Sequence, residues 1–443
     1  MYSCQIMVLA IDASRAAVDQ KTGVGWYCHH LLAHLKDVIP HDVRVVLYTD
    51  RSLPSELRPW PTNWEERILR WPPATISNSR RSGRDPDTKS SGLKFQISNS
   101  RWPLWSQIRL AWQVLRDRPD VLFVPAHVIP EILVIFSPSS SEARSRQTEG
   151  QEGERRVLRS IGEGGEGVGN RRTKLITTIH DVAFKDFPEA YSFRERRYAD
   201  HATRLAVRAA DRVIVPTRAV ACDLERCYQC DPTKITVIAH GVELDSKYSV
   251  PMVKECSSRL ATDDSRLVLY VGRLEYKKNV VRMIQAFERI ASQCSNLQLV
   301  LAGQPGHGHE QVRETIDRSP VRDRIITLGW ISREEYWCLL SRASVFLFPT
   351  LVEGFGLPIL EAMAAGVPVI VSRGGAHEEV AGDAAVLVDP FDVSSIADAT
   401  SSILDNVTFR SALVERGRQR AAEFTWKRSA RATWEAINSV LSA

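Results

Sequence analysis

The chain has 443 residues, 44% of them hydrophobic and 25% charged, which are ordinary proportions for a globular protein and, at this length, for two domains of about 200 residues each. Its formal net charge of +5 suits an anionic ligand or an anionic membrane surface and is too small to indicate a nucleic-acid partner. No apolar run reaches the roughly 20 residues that a membrane span needs, and the N-terminus lacks the basic start of a signal peptide, so we expect a cytoplasmic protein.

Short β-branched runs alternate with helix-length segments along the first half of the chain. Such alternation is typical of parallel sheets with helices on both faces. The predicted strands of this half are Gln5–Ile11, Val43–Tyr48, Val121–Val124, Leu175–Ile179, Arg212–Val215 and Ile235–Ile238.

Two polar segments interrupt this pattern. Residues 77–100 are rich in Ser, Arg, Lys and Asp, and residues 137–172 are rich in Ser, Glu, Gly and Arg. Neither segment has the apolar content to form a core, so both are predicted to be mobile insertions, either inert or in contact with a partner or a polymeric acceptor. The eight cysteines are scattered, which fits reduced thiols in a cytosol.

The alternation returns after a polar stretch between His240 and Arg266. The predicted strands of the second half are Leu267–Val271, Leu297–Leu301, Ile325–Leu328, Ser344–Phe348, Val367–Val371 and Ala385–Val388. The whole pattern predicts an α/β fold of two doubly wound, Rossmann-like domains. The predicted boundaries are 1–240 for the first domain, 241–265 for a linker, 266–424 for the second domain, and 425–443 for a C-terminal helix that crosses back to the first domain.

The strongest signal of a site follows the predicted strand Ser344–Phe348 and reads Glu353-Gly-Phe-Gly-Leu-Pro-Ile-Leu-Glu361. Its two glycines allow a ligand to approach the backbone closely, and its proline suits the first turn of a helix. A helix that begins at the carboxyl end of a parallel strand offers free amides to a phosphate or a sugar hydroxyl. Glu353 and Glu361 can accept hydrogen bonds from sugar and ribose hydroxyls; the alternative is a pair of ordinary helix carboxylates.

A second signal is Gly272-Arg273-Leu-Glu-Tyr-Lys-Lys278, which follows the predicted strand Leu267–Val271. Arg273 offers a planar fork and Lys278 a point charge, and together they can neutralise a diphosphate. Taken alone, the same residues would be interpreted as exposed loop cations. The diphosphate interpretation is favoured because this loop and the turn at 353–361 belong to the same predicted sheet.

The first half supplies weaker signals. Gly23-Val-Gly25 opens a helix after the first strand and can bring backbone amides to a phosphate, although it lacks the third glycine of a dinucleotide fingerprint. His180 and Asp181 end a predicted strand, where the imidazole could donate to a sugar hydroxyl and the carboxylate could orient it. His127 is a weaker candidate of the same kind, and a strand-end histidine taken alone is more often structural.

Together these motifs resemble glycosyltransferase family 4, whose members are retaining enzymes with a GT-B fold of two Rossmann-like domains that face each other across a cleft. The resemblance covers both domains apart from the two insertions. It is most specific in three stretches: Gly272-Arg273-Leu274 with Lys278, Glu353-Gly-Phe-Gly with Glu361, and Gly366-Val-Pro-Val-Ile. The stretch His240-Gly241-Val242 looks like the link between the family's two domains, with His in place of the more common Asn.

The resemblance implies a role for each matching residue. The diphosphate of a nucleoside-diphosphate sugar would bind to Arg273 and Lys278, and its sugar would bind to Glu353 and the amides that follow. Glu361 would bind the ribose, and His180 would lie at the reacting centre. The implied catalytic residues are His180, Arg273, Lys278 and Glu353. The implied donor-binding residues are Gly23, Gly25, Gly272, Arg273, Lys278, Glu353, Gly354, Phe355, Gly356, Leu357 and Glu361, with His127 and Asp181 on the acceptor side.

The resemblance also implies retaining transfer that needs no metal and no other cofactor. The only Asp-x-Asp, Asp85-Pro-Asp87, lies in the first insertion and is discounted as a metal site. Arg273, Lys278 and the helix N-terminus can stabilise the leaving diphosphate in the place of a metal. The acceptor would attack from the side of the leaving group. Double displacement is the less favoured mechanism, because no second carboxylate on the first domain stands out as a nucleophile.

Within the family, Thr178-Ile-His-Asp-Val and residues 379–390 look most like α-mannosyltransferases, so GDP-mannose is the expected donor and UDP-glucose the alternative. A glycan or a lipid-linked sugar is the expected acceptor. Three other functions stay open: a nucleotide-sugar epimerase, a phosphorylase, and a nucleotide-sugar-binding protein without catalysis.

Two predicted helices combine aromatic and basic residues. One carries Trp102, Trp105, Arg109 and Trp112, and the other carries Arg194, Arg196, Arg197, Arg204 and Arg208. Such a surface would suit a lipid-linked acceptor, with peripheral contact between the protein and the inner face of the membrane. The alternative is that the tryptophans belong to the core and the arginines to a solvated surface.

Overall fold

A computed structural model of the chain describes residues 6–70, 105–126, 129–131, 133, 172–243 and 266–441. Within these ranges, the first domain contains seven strands: β1 Val8–Asp12, β2 Arg44–Thr49, β3 Trp64–Ile68, β4 Val121–Val124, β5 Lys174–Thr178, β6 Arg212–Val215 and β7 Ile235–Val237. They form one parallel sheet with the spatial order β3-β2-β1-β4-β5-β6-β7.

The second sheet is also parallel. Its strands in the described part of the chain are β8 Arg266–Val271, β9 Leu297–Ala302, β10 Ile325–Gly329, β11 Ala343–Phe348, β12 Val369–Ser372 and β13 Ala385–Val388. Their spatial order is β10-β9-β8-β11-β12-β13, so the chain reverses its direction of travel across the sheet between β8 and β11. In open α/β sheets, ligands bind outside the carboxyl ends of the strands at this kind of reversal.

Helices cover both sheets. In the described residues of the first domain they are α1 Gly23–Leu35, α2 Ala111–Asp117, α3 Phe193–Ala209 and α4 Arg218–Tyr228. In the second half they are α5 Val280–Ala291, α6 His309–Arg318, α7 Arg333–Arg342, α8 Leu357–Ala364, α9 Gly375–Ala381, α10 Val393–Asp405, α11 Val407–Ala422 and α12 Trp426–Ser439. A π-helical turn, Trp105–Leu110, leads into α2.

The strands are apolar on both faces because both faces are covered. Leu9 and Ile11 of β1 pack into the core on one face of the first sheet, and Ala10 packs into the core on the other. Side chains of a strand point alternately to the two faces of the sheet. If one face were open to water, every second residue would be polar, whereas a sheet between two helical layers needs a continuous apolar run. This explains why the β-branched runs of the sequence predict these strands.

The edge strand β3 was not predicted from the sequence. It reads Trp64-Glu-Glu-Arg-Ile68, and it pairs only with β2 among the described strands. Its charged residues remain partly exposed and form ion pairs, such as that between Glu65 and Arg67. An edge strand with this composition lacks the buried apolar run that identifies a central strand, so the prediction of six strands in the first domain was wrong.

The C-terminal helix α12 crosses back to the first domain, as predicted. Trp426 and Ile437 are buried in the core that also contains Leu9 and Ile11 of β1, and the helix packs along α1. The indole of Trp426 stacks on the imidazole of His30 with ring centroids 5.1 Å apart. The last helix therefore ties the two domains together through apolar and aromatic contacts.

Several predictions concern residues that the structure does not describe. They include the insertion at 77–100, nearly all of the insertion at 137–172 and most of the linker at 241–265, and the domain boundaries stay predictions. The cysteine prediction is wrong at one position, because Cys338 is disulfide-bonded, whereas Cys28, Cys222, Cys227, Cys230 and Cys294 are free thiols. Over the described ranges, no helix combines the length and the apolar character that a membrane span requires.

Candidate active site

The motifs of the two halves meet where the carboxyl edges of the two sheets face each other. Thr217, just after β6, donates its hydroxyl hydrogen to the carbonyl of Gly354 at 3.0 Å. A β-carbon placed on Gly354 would lie 1.7 Å from the carbonyl oxygen of His180. The glycine is therefore required by the close approach of the two domains, and it brings the turn after β11 against the end of β5.

Lys278 and Glu353 form the centre of the second domain's contribution. The Nζ of Lys278 donates to Oε1 of Glu353, and each side chain is only 14% exposed. The next residue, Asn279, adopts a left-handed conformation with φ of 62° and donates from Nδ2 to the carbonyls of Pro349 and Pro390. These bonds hold the loop after β8 beside the turn after β11, as the sequence predicts.

Arg273 lies at the same edge, one residue after Gly272 at the end of β8. Its side chain is 57% exposed, its Nε lies 3.6 Å from Oε2 of Glu275, and its Nη2 donates to the carbonyl of Pro305 at 3.4 Å. A guanidinium in this position is held loosely and can turn toward an anion. With Lys278 it supplies two cations at the carboxyl edge of the second sheet.

Helix α8 begins shortly after Glu353, the partner of Lys278. Gly356 is its N-cap with φ of 92°, and Leu357 and Pro358 form its first turn without a capping side chain. Phe355 is buried and packs against His240, with ring centroids 4.6 Å apart. Because no side chain caps this end, the amides at the start of α8 that the helix does not use are suited to bind negatively charged oxygens; Pro358 has no amide hydrogen, and the amide of Ile359 already donates to the Gly356 carbonyl.

Glu361 lies one turn further along α8. Its Oε1 accepts from Arg333 at 2.8 Å, and its Oε2 accepts from the hydroxyl of Tyr336 at 2.6 Å. The Arg333 guanidinium also lies 4.9 Å from the ring of Trp26, which belongs to α1 of the other domain. Both oxygens of Glu361 are thus engaged within the protein, and a ribose would compete with or join these bonds.

His180 is 9% exposed and lies at the end of β5. One ring nitrogen, Nε2, is 3.1 Å from the carbonyl oxygen of Pro125, and the edge of the ring meets Tyr27 with centroids 4.9 Å apart. Asp181 accepts the backbone amide of Ala183 at 3.1 Å. The other acceptor-side candidate, His127, lies outside the described residues.

The glycine pair of the first domain starts α1. Gly23 is exposed, and nothing lies within 4 Å of a β-carbon placed on it, whereas Gly25 is buried against Arg15 and Lys21. The preceding loop reaches the second domain, because Gln304 donates to Oε1 of Gln20 at 3.0 Å. The loop therefore lies next to the segment that contacts Arg273, and its place over the phosphates stays a prediction.

Sequence reasoning missed a buried cation between the domains. Lys277 donates from Nζ to the hydroxyl of Tyr191 at 3.0 Å and lies 3.9 Å from Oε1 of Glu275. Burial alone would lower its pKa, but the charges of Asp181, Glu353 and Glu275 raise it above the ordinary lysine value. Burial and Asp181 also raise the pKa of Tyr191 to about 12.

Glu379 is a second residue that the sequence did not reveal. It lies on α9, and its carboxylate accepts the backbone amides of Arg218 and Ala219 at 2.8 and 3.0 Å. These amides belong to the first turn of α4 in the other domain, where Thr217 is the N-cap. A carboxylate at a helix N-terminus is stabilising, so Glu379 fastens the domains together beside the Thr217–Gly354 bond.

His377 is a third such residue, and it lies behind the turn that carries Glu353. It is 3% exposed and shares a hydrogen bond with the hydroxyl of Thr350. Burial lowers its pKa to about 4. The imidazole is therefore neutral at physiological pH and adds no charge to the site.

Two family models match the chain in the halves that the two sheets occupy. Residues 163–246 match the model described as Glycosyltransferase Family 4, and residues 255–420 match the model described as Glycosyl transferases group 1. Together the two matches cover more than half of the chain.

Two curated relatives are mannosyltransferases. The chain is 27% identical over 262 residues to the O-antigen chain mannosyltransferase B of Escherichia coli, covering 58% of this chain and 68% of that protein. It is 31% identical over 220 residues to the MMP alpha-(1->4)-mannosyltransferase of Mycolicibacterium hassiacum, covering 48% of this chain and 51% of that protein. The aligned part thus spans between half and about two thirds of these relatives.

Solved structures share the fold over almost the whole length. The sucrose-phosphate synthase of Thermosynechococcus elongatus superposes with a TM-score of 0.68 at 19% identity, covering 98% of this chain and 99% of that one. Anabaena HepE, solved with UDP and glucose, superposes with a TM-score of 0.65 at 16% identity, covering 98% and 100%. Two facing parallel sheets with a returning C-terminal helix define the class as GT-B. The chain belongs to the glycosyltransferases that carry the family 4 and group 1 domains.

Proposed function

We propose that the chain transfers a sugar from a nucleoside-diphosphate sugar to a glycan or a lipid-linked acceptor, with retention of configuration and without a metal ion. The observation that carries this proposal is the cluster of Lys278, Glu353, Gly354 and His180 between the two domains. It combines a cation, a carboxylate and a histidine at the edge where the uncapped helix α8 begins.

The leaving diphosphate would be stabilised by positive groups of the second domain. Arg273 and Lys278 supply two cations, and the first turn of α8 supplies backbone amides. Charge that develops on the β-phosphate as the bond to the sugar breaks is neutralised best by groups already oriented toward it. Lys278 would exchange its contact with Glu353 for the diphosphate, which frees the carboxylate to accept from the sugar hydroxyls.

The proposed transfer is a front-side displacement. The bond between C1 of the sugar and the β-phosphate oxygen breaks, the acceptor oxygen forms the new bond to C1 from the same side, and the acceptor proton passes to the released phosphate oxygen. His180, at the end of β5, would lie on the opposite side of the sugar and orient one of its hydroxyls. This assignment agrees with the contact of His180 with Gly354, which joins the two halves of the site.

Mannose from GDP-mannose is the proposed donor. The two relatives described above are named as mannosyltransferases, and they share the aligned part of this chain. A UDP-glucose type of donor is the second candidate, because the Anabaena structure with the same fold was solved with UDP and glucose. The two donors share the diphosphate and differ in the base, so binding experiments separate them.

A membrane-facing acceptor side is part of the proposal. Ile108, Trp112 and Leu115 are exposed on the segment that ends in α2, and the guanidinium groups of Arg109 and Arg116 lie 5.3 and 5.5 Å from the Trp112 ring. Exposed apolar side chains flanked by arginines suit an anionic lipid surface.

Vesicle flotation tests this contact. The protein should float with vesicles that contain anionic phosphatidylglycerol and not with vesicles of phosphatidylcholine alone. Equal flotation of Trp112→Ser and the native chain would contradict the assignment.

The donor proposal is tested by thermal unfolding of the full chain with GDP, UDP and ADP and with their sugar conjugates. A ligand present at about 100 times its Kd stabilises the folded protein by about 2.7 kcal/mol, so the correct base raises the Tm. The increase should disappear in Arg273→Ala. If none of the nucleotides raises the Tm of the folded protein, the proposed donor site is wrong.

Turnover then separates the alternative functions. A transferase consumes the donor at an appreciable rate only when an acceptor is present, an epimerase produces a new nucleotide sugar without one, and a binding protein produces neither. A phosphorylase would need pyridoxal phosphate, which its absorbance reveals. Retention is read from the anomeric configuration of the product by proton NMR.

A further inference from the structure

A cavity of about 660 Å³ lies in the second domain, away from the cleft between the domains. Its floor is formed by the first residues of β8 and β11, including Arg266 and Ser344, and by the segment before β12. These are the amino ends of the strands, whereas Arg273, Lys278 and Glu353 follow the carboxyl ends. A six-residue strand is about 20 Å long, so the cavity and the candidate active site lie about one strand length apart, at opposite edges of the sheet.

One face of α11 forms the wall of this cavity. Arg410, Val414 and Arg418 are spaced by four residues and line it together, and Ser411 and Glu415 form the neighbouring row. Residues four apart on a helix share a face, so Arg410 and Arg418 lie on the side of α11 that faces the cavity. With Arg266, three arginines line one cavity.

Arg266 is fixed in place by the protein. Its Nη2 donates to the carbonyl of Leu404, and its Nη1 lies 3.9 Å from the sulfur of Cys294. The guanidinium of Arg418 lies against Gly366, where a β-carbon would be 2.5 Å from its Nη2. Gly366 also has φ of 78°, so this position admits the guanidinium only because it has no side chain.

The positive charge in the cavity is poorly balanced. Among the described residues that line it, Glu415 supplies the one carboxylate, and that group accepts a hydrogen bond from Gln419 at 2.7 Å. Within the described ranges, Arg410 and Arg418 form no ion pair with a carboxylate. Three arginines and one carboxylate in this lining favour an anion with several oxygens, which arginine can bind through two parallel hydrogen bonds.

We propose that this cavity is a second anion site, which binds the phosphate group of a small phosphorylated sugar or inorganic phosphate. The volume lies within the roughly 300–1,000 Å³ of small-molecule sites. The hydroxyls of Ser344 and Ser411 can bind sugar hydroxyls or phosphate oxygens. The described lining contains no aromatic side chain on which a base could stack, so a nucleotide is not the expected ligand.

The test is isothermal titration calorimetry of the full chain with inorganic phosphate and, separately, with a hexose 6-phosphate. The background variant Lys278→Ala weakens anion binding at the donor site and leaves the cavity intact. Arg410→Ala with Arg418→Ala should weaken binding of at least one probe by about tenfold or more, because two charge-assisted contacts are lost. The conservative pair R410K and R418K should retain part of the affinity, since it keeps the charges and loses the planar forks.

The matched control removes two exposed arginines of the same domain, with Arg318→Ala and Arg322→Ala. Unchanged binding in this control, together with loss in Arg410→Ala and Arg418→Ala, supports the site. Equal losses in both pairs would show a general effect of net charge and overturn the proposal. Absence of binding of both probes, or a preference for a nucleoside monophosphate, would also overturn it. None of these outcomes depends on whether the donor site binds GDP.

Discussion

Gly354 lies so close to His180 that a β-carbon on the glycine would be 1.7 Å from the histidine carbonyl oxygen. The contact joins the turn that carries Glu353 to the end of β5, which belongs to the other domain. A backbone–backbone approach of this kind leaves no flexible side chain that could move aside. The candidate active site therefore depends on a glycine at this position, independently of any conformational freedom the residue offers.

The substitution Gly354→Ala should separate the two halves of the site. The new methyl group must push β5 or the donor turn away, and displacement of a reacting group by about 1 Å can lower kcat about 100-fold. Transfer rates of the purified variant test this expectation. The Tm measured in parallel is the control, because each domain keeps its own core. A variant with native kcat would show that the domains do not meet in this way during the reaction.

The neighbouring lysines 277 and 278 provide a matched pair for a second prediction. Lys278→Met removes the contact to Glu353 and the proposed cation for the diphosphate, so kcat should fall by roughly 100-fold or more. Lys277→Met leaves Glu275 and Asp181 without their buried cation, and breaking such a pair destabilises a protein by about 3 kcal/mol.

Urea unfolding and steady-state kinetics measured on both variants distinguish these roles. Lys278→Met should change the kinetics with little effect on the free energy of unfolding, and Lys277→Met should mainly lower that free energy. The reverse result, with normal catalysis in Lys278→Met, would remove Lys278 from the proposed mechanism.

The sequence predicts most of the fold and one side of the site. The central strands and the turns at 272–278 and 353–361 follow from apolar runs, glycines and charges that lie close together in the chain. The edge strand β3 was not predicted because its three charged residues interrupt the apolar run by which the other strands were identified. The roles of Lys277 and Glu379 were missed for a different reason. Their partners Tyr191 and Arg218 are far away in sequence, so their roles depend on how the domains are placed and not on any local motif.

Glu379 leads to a third prediction, about the interface between the domains. Its carboxylate accepts the amides of Arg218 and Ala219 in the other domain, whereas the adjacent Glu378 accepts the amide of Gly374 within its own domain. Glu379→Ala should weaken the interface by about 1 kcal/mol, the typical loss of a helix cap. Small-angle X-ray scattering of the ligand-free variant should then show a larger radius of gyration.

Glu378→Ala is the matched control for this experiment, because it removes the neighbouring carboxylate without touching α4. The two variants should differ in their radius of gyration and in the donor concentration needed to restore the compact form. An identical scattering profile for the two variants would show that the bond from Glu379 to α4 does not hold the domains together.

The buried His377 gives the last prediction, which concerns pH. Its folded-state pKa of about 4 lies below the ordinary value of 6.5, so the neutral form is favoured by folding. The stability it contributes is complete above pH 6.5 and is lost progressively as the pH falls from about 6.5 toward 4, because only the unfolded chain binds the proton in that range. Between pH 7.5 and pH 5 this loss is on the order of 2 kcal/mol for one such histidine.

The variant His377→Asn tests this assignment, because asparagine can keep a hydrogen bond to Thr350 but does not titrate. The free energy of unfolding, measured in urea at pH 7.5 and pH 5, should fall less in the variant than in the native chain. His240 is also buried, and its pKa is lowered by burial and by His180, so the variant should keep part of the pH dependence. If the native chain and His377→Asn lose the same free energy between the two pH values, His377 is not held neutral by the fold.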